Sequence, residues 1–133
     1  IVTKDDGRYA VIGWNWHDTR TGGAGAEKGY VLSLPSLGKQ AVLIKKQVGG
    51  EHANPLQTWS NLGKPRSLTK EQVEILTASA QPLQTSANLT AENGEYHVQL
   101  DIPSNHVCMV EIIPIQDHTE TYAGFDPDFY GMR

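Results

Sequence analysis

The chain has 133 residues, a length typical of a single domain, and its 15 acidic and 11 basic side chains give a formal net charge of −4. This acidic balance, without long basic runs, argues against nucleic acid and anionic membrane surfaces as partners, and no stretch reaches the roughly 18 consecutive apolar residues of a membrane span. The single cysteine, Cys108, cannot form an internal disulfide, and its apolar neighbours predict a buried thiol.

The first part of the chain predicts three strands. Residues 8–16, RYAVIGWNW, are rich in aromatic and branched side chains, which favour a strand. Trp14 and Trp16 are two residues apart and are therefore expected on one side of this strand, with Asn15 on the other. A glycine-rich loop follows, and then two further strand-like runs extend to residue 48. Because the chain opens directly in strand-like sequence, we expect it to be part of a longer protein.

Residues 54 to about 81 predict two short helices inserted between strands. Asn54 is a suitable N-cap and precedes a proline, which fits the first position of a helix. Thr69 and Gln72 have the spacing of a capping box at the start of the second helix. Trp59 lies on the apolar side of the first helix. The insertion is therefore expected to be compact and helical.

The last part of the chain predicts strands again. Residues 95–102 alternate between apolar and polar side chains, so one face of this strand should be buried. The preceding pair Asn93-Gly94 is a strong hairpin signal and predicts pairing with the run at residues 83–90. Residues 106–115 are almost continuously apolar, as is typical of a strand in the centre of a sheet.

Short strands separated by turn signals are the pattern of an all-β domain rather than of alternating strands and helices. We therefore predict one domain, residues 1–133, folded as an antiparallel β-sandwich with a short two-helix insertion.

Paired carboxylates are the first candidates for catalysis, because general acid and base chemistry often uses two of them in different environments. Three pairs are close in sequence, and all of them lie in polar segments that are typical of solvated loops. They are Asp5 with Asp6, Glu92 with Glu95, and Asp126 with Asp128. We therefore expect no catalytic residue in this chain.

Histidines are the first candidates for metal ligands. The five histidines are scattered over separate segments and lack the spacing of a zinc site. The DPD motif at residues 126–128 lacks the ligand-rich loop of a calcium site. We therefore expect no metal and no other cofactor.

Residues 49–76, GGEHANPLQTWSNLGKPRSLTKEQVEIL, resemble a segment of the β-sandwich domain that follows the catalytic barrel in glycoside hydrolase family 39, which contains β-xylosidases and α-L-iduronidases. Residues 10–18 and 119–131 resemble two further segments of that domain, so the resemblance spans nearly the whole chain and points to the bacterial β-xylosidase branch. The positions that carry the first segment are Glu51, His52, Asn54, Trp59, Leu62, Gly63, Pro65 and Thr69 to Gln72.

The resemblance implies a non-catalytic role. In this family two glutamates on a (β/α)₈ barrel carry out a retaining reaction, and such a barrel needs about 250 residues, which this chain does not contain. The chain would then be the accessory domain of a β-xylosidase active in xylan degradation. Its partners would be the barrel of the same protein, which it stabilises, and other copies in a homo-oligomer. Whether the protein is cytoplasmic or exported stays open.

Two sets of residues are candidates for contacts. His52, Asn54 and Trp59 could touch the barrel or the rim of its substrate site, or they could only shape the insertion. Trp14 and Trp16 could stack on sugar rings, in which case the chain would be a free-standing carbohydrate-binding module for xylo-oligosaccharides. Their alternative role is as core or interface anchors.

Overall fold

The computed structural model describes residues 1–22 and 25–115. Within these ranges seven strands, two α-helices and one short 3₁₀ helix follow one another. The strands are β1 (Val2–Asp5), β2 (Arg8–Asn15), β3 (Lys28–Pro35), β4 (Gln40–Val48), β5 (Leu83–Thr90), β6 (Glu95–Ile102) and β7 (His106–Pro114). The helices are α1 (Pro55–Asn61) and α2 (Lys70–Ser79), and the 3₁₀ helix is Thr19–Thr21.

The strands form two antiparallel sheets. The large sheet has the strand order β1-β2-β7-β4-β5, and the small sheet pairs β3 with β6. This arrangement confirms the predicted all-β sandwich with a helical insertion. The apolar strand β7 lies between β2 and β4, so its predicted central position is also confirmed.

The core lies between the two sheets. Alternate residues of β6 are buried, as predicted, and they pack against buried residues of the central strands of the large sheet. Two tyrosines close the core at one end, because the Tyr9 hydroxyl donates to the Pro35 carbonyl at 2.8 Å and the Tyr96 hydroxyl donates to the Gly38 carbonyl at 3.0 Å. The largest fully buried side chains are Tyr96, Ile102, Ile112, Val110 and Cys108.

The hairpin predicted at Asn93-Gly94 is only half correct. Both residues have positive φ angles, 52° and 79°, and Glu92 and Glu95 form the bridge that closes the turn. However, β6 pairs with β3 and β5 pairs with β4, so the predicted pairing of β5 with β6 is wrong. Turn residues determine where the chain reverses, whereas the buried face of β6 determines which sheet it joins.

The two helices are stabilised mainly by local contacts. The Asn54 side chain accepts the Gln57 N–H at 3.2 Å, and Thr69 and Gln72 form both hydrogen bonds of the predicted capping box. Neither helix contains a buried residue, and the two helices pack against each other. No helix in the described ranges has the length and apolarity needed to cross a membrane.

Candidate functional site

The three central strands of the large sheet, β2, β7 and β4, have a largely apolar outer face on the side away from the small sheet. Successive residues of a strand point to opposite faces, so Ile12 and Trp14 in β2 lie on this side when Val11 is buried. The register places Trp14 opposite Val107 of β7, and Val107 opposite Val48 of β4. These three side chains are 52%, 46% and 41% exposed. The outer face is therefore a continuous apolar surface across three neighbouring strands.

An ion pair lies within this outer face. The Lys46 ammonium is 3.7 Å from a carboxylate oxygen of Glu111, and the side chains are 40% and 23% exposed. The registers place Ile44 opposite Glu111 and Met109 opposite Lys46, so the pair has apolar neighbours. A pair as exposed as this contributes little to stability while water reaches it. If another surface covered the pair, both charges would lose their water, and the covering surface would have to leave them paired.

Asn15 links the two layers of the sandwich. Its side chain lies on the opposite side of β2 from Trp14, as predicted, and it is only 3% exposed. The carboxamide nitrogen donates to the Ala26 carbonyl at 2.7 Å and to the Ile102 carbonyl at 3.0 Å. No local sequence pattern predicts this role, although Asn15 is the one polar residue between two tryptophans. A buried amide with both protons bonded is a structural contact.

Trp14 and Trp16 are among the residues that line an open groove, together with residues of β1, β3 and β6. Trp16 lies just beyond the end of β2 and is 71% exposed. The groove has a volume of about 460 Å³, and its lining combines aliphatic and aromatic side chains with one charged residue, Lys28. Its lining residues are Ile1, Val2, Val11, Ile12, Gly13, Trp14, Trp16, Lys28, Tyr30, Leu32 and Leu100.

The insertion brings His52, Asn54 and Trp59 into one segment, where each makes local hydrogen bonds. His52 forms a two-way backbone bridge with Gly49, and the Asn54 side chain donates to the Gly50 carbonyl at 3.0 Å. The indole N–H of Trp59 donates to the Pro65 carbonyl at 3.1 Å, which ties the loop between the helices to α1. These contacts define the shape of the insertion.

Apolar side chains of the insertion remain open to solvent. Leu56 in α1 is 67% exposed, and Val73 and Ile75 in α2 are 47% and 41% exposed. Leu68, just before α2, is 44% exposed. The insertion therefore offers a second apolar surface, separate from the outer face of the large sheet.

The described acidic pairs lack the buried surroundings that distinguish one carboxyl group from the other at a catalytic site. Asp5, Asp6, Glu92 and Glu95 are all exposed, at the ends of strands or in turns. The pair Asp126 and Asp128 lies outside the described residues. In the part of the chain that the structure describes, no group of three or more histidine, cysteine or acidic side chains is placed to hold a metal ion.

Among the residues that the structure describes, Asp18 and Cys108 have shifted pKa values. The side-chain hydrogen bond from Arg20, followed by the Arg20 backbone N–H, lowers the pKa of Asp18, which caps the 3₁₀ helix. Burial raises the pKa of the Cys108 thiol, and the positive charge of Lys45 opposes this shift only in part. The thiol is fully buried, so it is inert rather than nucleophilic.

Comparison with known protein families gives a match over most of the chain. Residues 1–97 match the family described as "Glycosyl hydrolases family 39". A β-xylosidase from Geobacillus stearothermophilus is 32% identical over 127 residues, which cover 95% of this chain and 24% of that protein. The chain thus spans about a quarter of the length of this curated relative.

Solved structures share the fold. The GH39 enzyme from Xanthomonas axonopodis pv. citri superposes with a TM-score of 0.64 at 16% identity, over 86% of this chain and 25% of that one. A monomeric β-xylosidase from Caulobacter crescentus CB15 superposes with a TM-score of 0.59 at 21% identity, over 86% of this chain and 26% of that one. At these identities the likeness establishes the fold alone.

Proposed function

The chain belongs to glycosyl hydrolases family 39, and on that premise we propose that it is the non-catalytic accessory domain of a retaining β-xylosidase-like glycosidase. In this proposal the chain packs on a catalytic (β/α)₈ barrel of the same protein and stabilises it. The curated β-xylosidase is about four times as long as the matched region, which leaves ample length for a barrel.

The apolar outer face of the large sheet is the observation that carries this proposal. A sheet with one solvated face normally shows polar side chains on that face, whereas the outer side of β7 carries Val107, Met109 and Ile113 beside a single charged residue, Glu111. Trp14, Val107 and Val48 form one exposed row across the sheet. Extended apolar patches of this kind mark interaction surfaces in soluble proteins. A barrel in the same polypeptide is a partner that meets this surface at high local concentration.

The expected gain from covering this surface is substantial. A tryptophan side chain buries about 150–250 Å², and about half of Trp14 remains exposed. At about 25 cal/mol per Å², covering that half contributes about 2–3 kcal/mol. Val107 and Val48 add smaller contributions of the same kind. Docking of this face would therefore stabilise both the sandwich and its partner.

The Lys46–Glu111 pair would give the docked surface a fixed orientation. Covering the pair removes water from both charges, which is costly unless they stay paired and the partner supplies further hydrogen bonds. Only a surface with polar groups at the matching position meets this requirement. The pair therefore favours one defined partner over general hydrophobic association.

The insertion would form a second contact in the same assembly. The predicted role of His52, Asn54 and Trp59 as contacts to the barrel or to the rim of its substrate site stays a prediction. Because Asn54 and Trp59 make their hydrogen bonds within the insertion, we expect them to hold it in shape. The exposed Leu56 and Val73 are the side chains that would reach a partner.

A second candidate function is binding of xylo-oligosaccharides by Trp14 and Trp16. The groove that they border has a volume within the range of small-ligand sites, and Trp16 is open to solvent. Sugar recognition also needs several polar groups beside the rings, and the lining supplies few of them, notably Lys28 and Tyr30. Trp14 is in addition part of the continuous row with Val107 and Val48. We therefore favour docking.

A complementation experiment tests the proposed function. The barrel of the same protein, produced without residues 1–133, is mixed with the chain, and its thermal unfolding midpoint and its hydrolysis of an aryl β-xyloside are measured. We expect the chain to raise the midpoint and to show no hydrolysis by itself. Trp14→Ser should lose most of the effect. Val31→Ser is the matched control, because Val31 is 78% exposed on a strand of the small sheet.

Four results would contradict this function. Turnover by the chain alone would mean that it contains an active site. An unchanged midpoint in the mixture, or equal effects of the two variants, would mean that the outer face is not the docking surface. Saturable titration of the chain with xylobiose, lost in Trp16→Ala, would favour the carbohydrate-binding module.

A further inference from the structure

The two edges of the large sheet differ in how they are protected against pairing with another chain. β1, at one edge, has only four residues, and two of them are the charged Lys4 and Asp5. β5, at the other edge, has eight residues with the sequence LQTSANLT. Short length and charged side chains are the usual devices that prevent edge-to-edge association. β1 has both of these devices and β5 has neither.

The absence of charge sets β5 apart from the other strands. Each of the other strands that the structure describes contains at least one lysine, arginine, aspartate or glutamate. β5 contains none, and it contains no proline. Most of its side chains are exposed, so burial does not explain this composition. An exposed, uncharged and uninterrupted edge strand is a template for pairing.

The free backbone groups of β5 can be assigned from its register. The Ala91 N–H donates to the Lys39 carbonyl, and these two residues continue the register in which Gln40 of β4 lies opposite Thr90 of β5. Bonded pairs alternate along an antiparallel ladder, so odd-numbered residues of β5 direct their backbone groups to β4. The even-numbered residues direct theirs to the open edge. They are Gln84, Ser86, Asn88 and Thr90.

We propose that β5 pairs antiparallel with β5 of a second copy of this chain, so that the two large sheets become one continuous sheet. With the twofold axis at Ala87, Ser86 lies opposite Asn88 of the second copy and Gln84 lies opposite Thr90. Every outward N–H and C=O group in β5 then has a partner, which gives about eight backbone hydrogen bonds. Such an interface uses the same patch on both copies, as a closed dimer requires.

The side chains of β5 complement one another in this register. Side chains of β5 alternate between the two faces of the sheet. Those on the outer face belong to Gln84, Ser86, Asn88 and Thr90. Each cross-strand pair on the outer face then places a carboxamide opposite a hydroxyl, and these groups can form hydrogen bonds. No like charges meet, although the chain as a whole carries a net charge of −4. A second copy therefore fits this edge without any electrostatic penalty within the strand.

This pairing goes beyond the proposed docking on a barrel and does not depend on it. The row formed by Trp14, Val107 and Val48 lies on the face of β2, β7 and β4, whereas the pairing uses the outer edge of β5. A structural neighbour is described as a monomeric β-xylosidase. The shared fold therefore does not itself impose self-association, and the composition of β5 is what favours it here.

Charge placement tests the pairing and its register together. The oligomeric state of the full 133-residue chain is measured by sedimentation equilibrium for the unaltered chain and three variants. We expect a dimer, and Ser86→Lys should weaken it by at least about tenfold, because each copy places a hydrated ammonium in the paired edge. Adding Asn88→Glu to Ser86→Lys should restore the dimer, since each lysine then faces a glutamate of the other copy.

Thr3→Lys is the matched control, because it adds the same charge to the exposed strand at the opposite edge of the sheet. This variant should dimerise like the unaltered chain. Amide hydrogen exchange adds a second readout that does not depend on any variant folding. The N–H groups of Ser86 and Asn88 should be protected in the dimer and should exchange rapidly when it is diluted to monomer.

Other results would overturn the inference. A chain that stays monomeric at concentrations of about 100 μM lacks the pairing, because stable specific dimers form well below this level. A dimer that resists Ser86→Lys uses another surface, such as the apolar outer face. Protection of Ser86 and Asn88 in a monomer would mean that another part of the same chain covers this edge.

Discussion

In the three central strands of the large sheet both faces are mostly apolar, yet the described residues cover only one of them. Ile112 and Val107 illustrate this difference within β7, because Ile112 is fully buried under the small sheet and Val107 is 46% exposed. Burial of the inner face against the small sheet forms the core that stabilises the domain. The outer face has no such cover within the described residues, and the proposed docking partner would supply one. Substitutions on the two faces test this difference.

The largest effect is expected on the inner face. Ile112→Ala removes buried methyl groups between Tyr9 of β2 and Leu43 of β4 and leaves a cavity. The free energy of unfolding should fall by about 2–5 kcal/mol, measured by urea denaturation of the isolated chain. A loss below about 1 kcal/mol would mean that the core is not packed as described.

A smaller loss is expected at the polar link between the layers. Asn15→Ala removes the donor from the Ile102 carbonyl at a buried contact and from the Ala26 carbonyl at a partly buried one. The free energy of unfolding should fall by about 1–3 kcal/mol. Trp16→Ala provides the comparison, because this neighbouring side chain is exposed. Equal losses in the two variants would contradict the linking role of Asn15.

The insertion should respond locally to the loss of its cap. Thr69→Ala removes the hydrogen bond to the Gln72 N–H and breaks the capping box, which should cost about 1 kcal/mol. Because no residue of α2 is buried, amide exchange should accelerate in α2 and remain unchanged in β6. Equal acceleration in both elements would mean that the insertion and the sandwich unfold as one unit.

The smallest effect is expected on the outer face of the isolated chain. Val107→Thr should change the free energy of unfolding by no more than about 0.5 kcal/mol, because its side chain is half exposed and no described part of the chain covers it. The same substitution should matter more in a protein that contains the barrel. Denaturation of Val107→Thr and Ile112→Ala side by side compares the two faces within one strand. Similar losses in both variants would remove the distinction between the faces.

The sequence predicted those features that depend on local patterns. Alternation in residues 95–102 identified the buried face of β6, since one residue in two must be apolar when one side of a strand is covered. The capping box placed the start of α2 correctly, because Thr69 and Gln72 interact only with neighbouring backbone. The continuous apolar run at residues 106–115 correctly predicted a central strand.

Features that depend on distant contacts could not be predicted in this way. The turn at Asn93-Gly94 was correctly identified, but the partner of β6 depends on how the two sheets pack, which no turn signal contains. The two hydrogen bonds of Asn15 join segments that are far apart in sequence. The apolar outer face can be identified only from the strand register, which places Trp14, Val107 and Val48 in one row.

Hydroxyl-radical footprinting of Trp14 tests the docking of the outer face most directly. Oxidation of Trp14 is compared between the isolated chain and a protein that joins residues 1–133 to its barrel, with the 78% exposed Val31 and the buried Tyr96 as references. Docking predicts that oxidation of Trp14 falls severalfold in the longer protein while that of Val31 stays the same. Equal oxidation of Trp14 in both proteins would contradict the proposed docking surface.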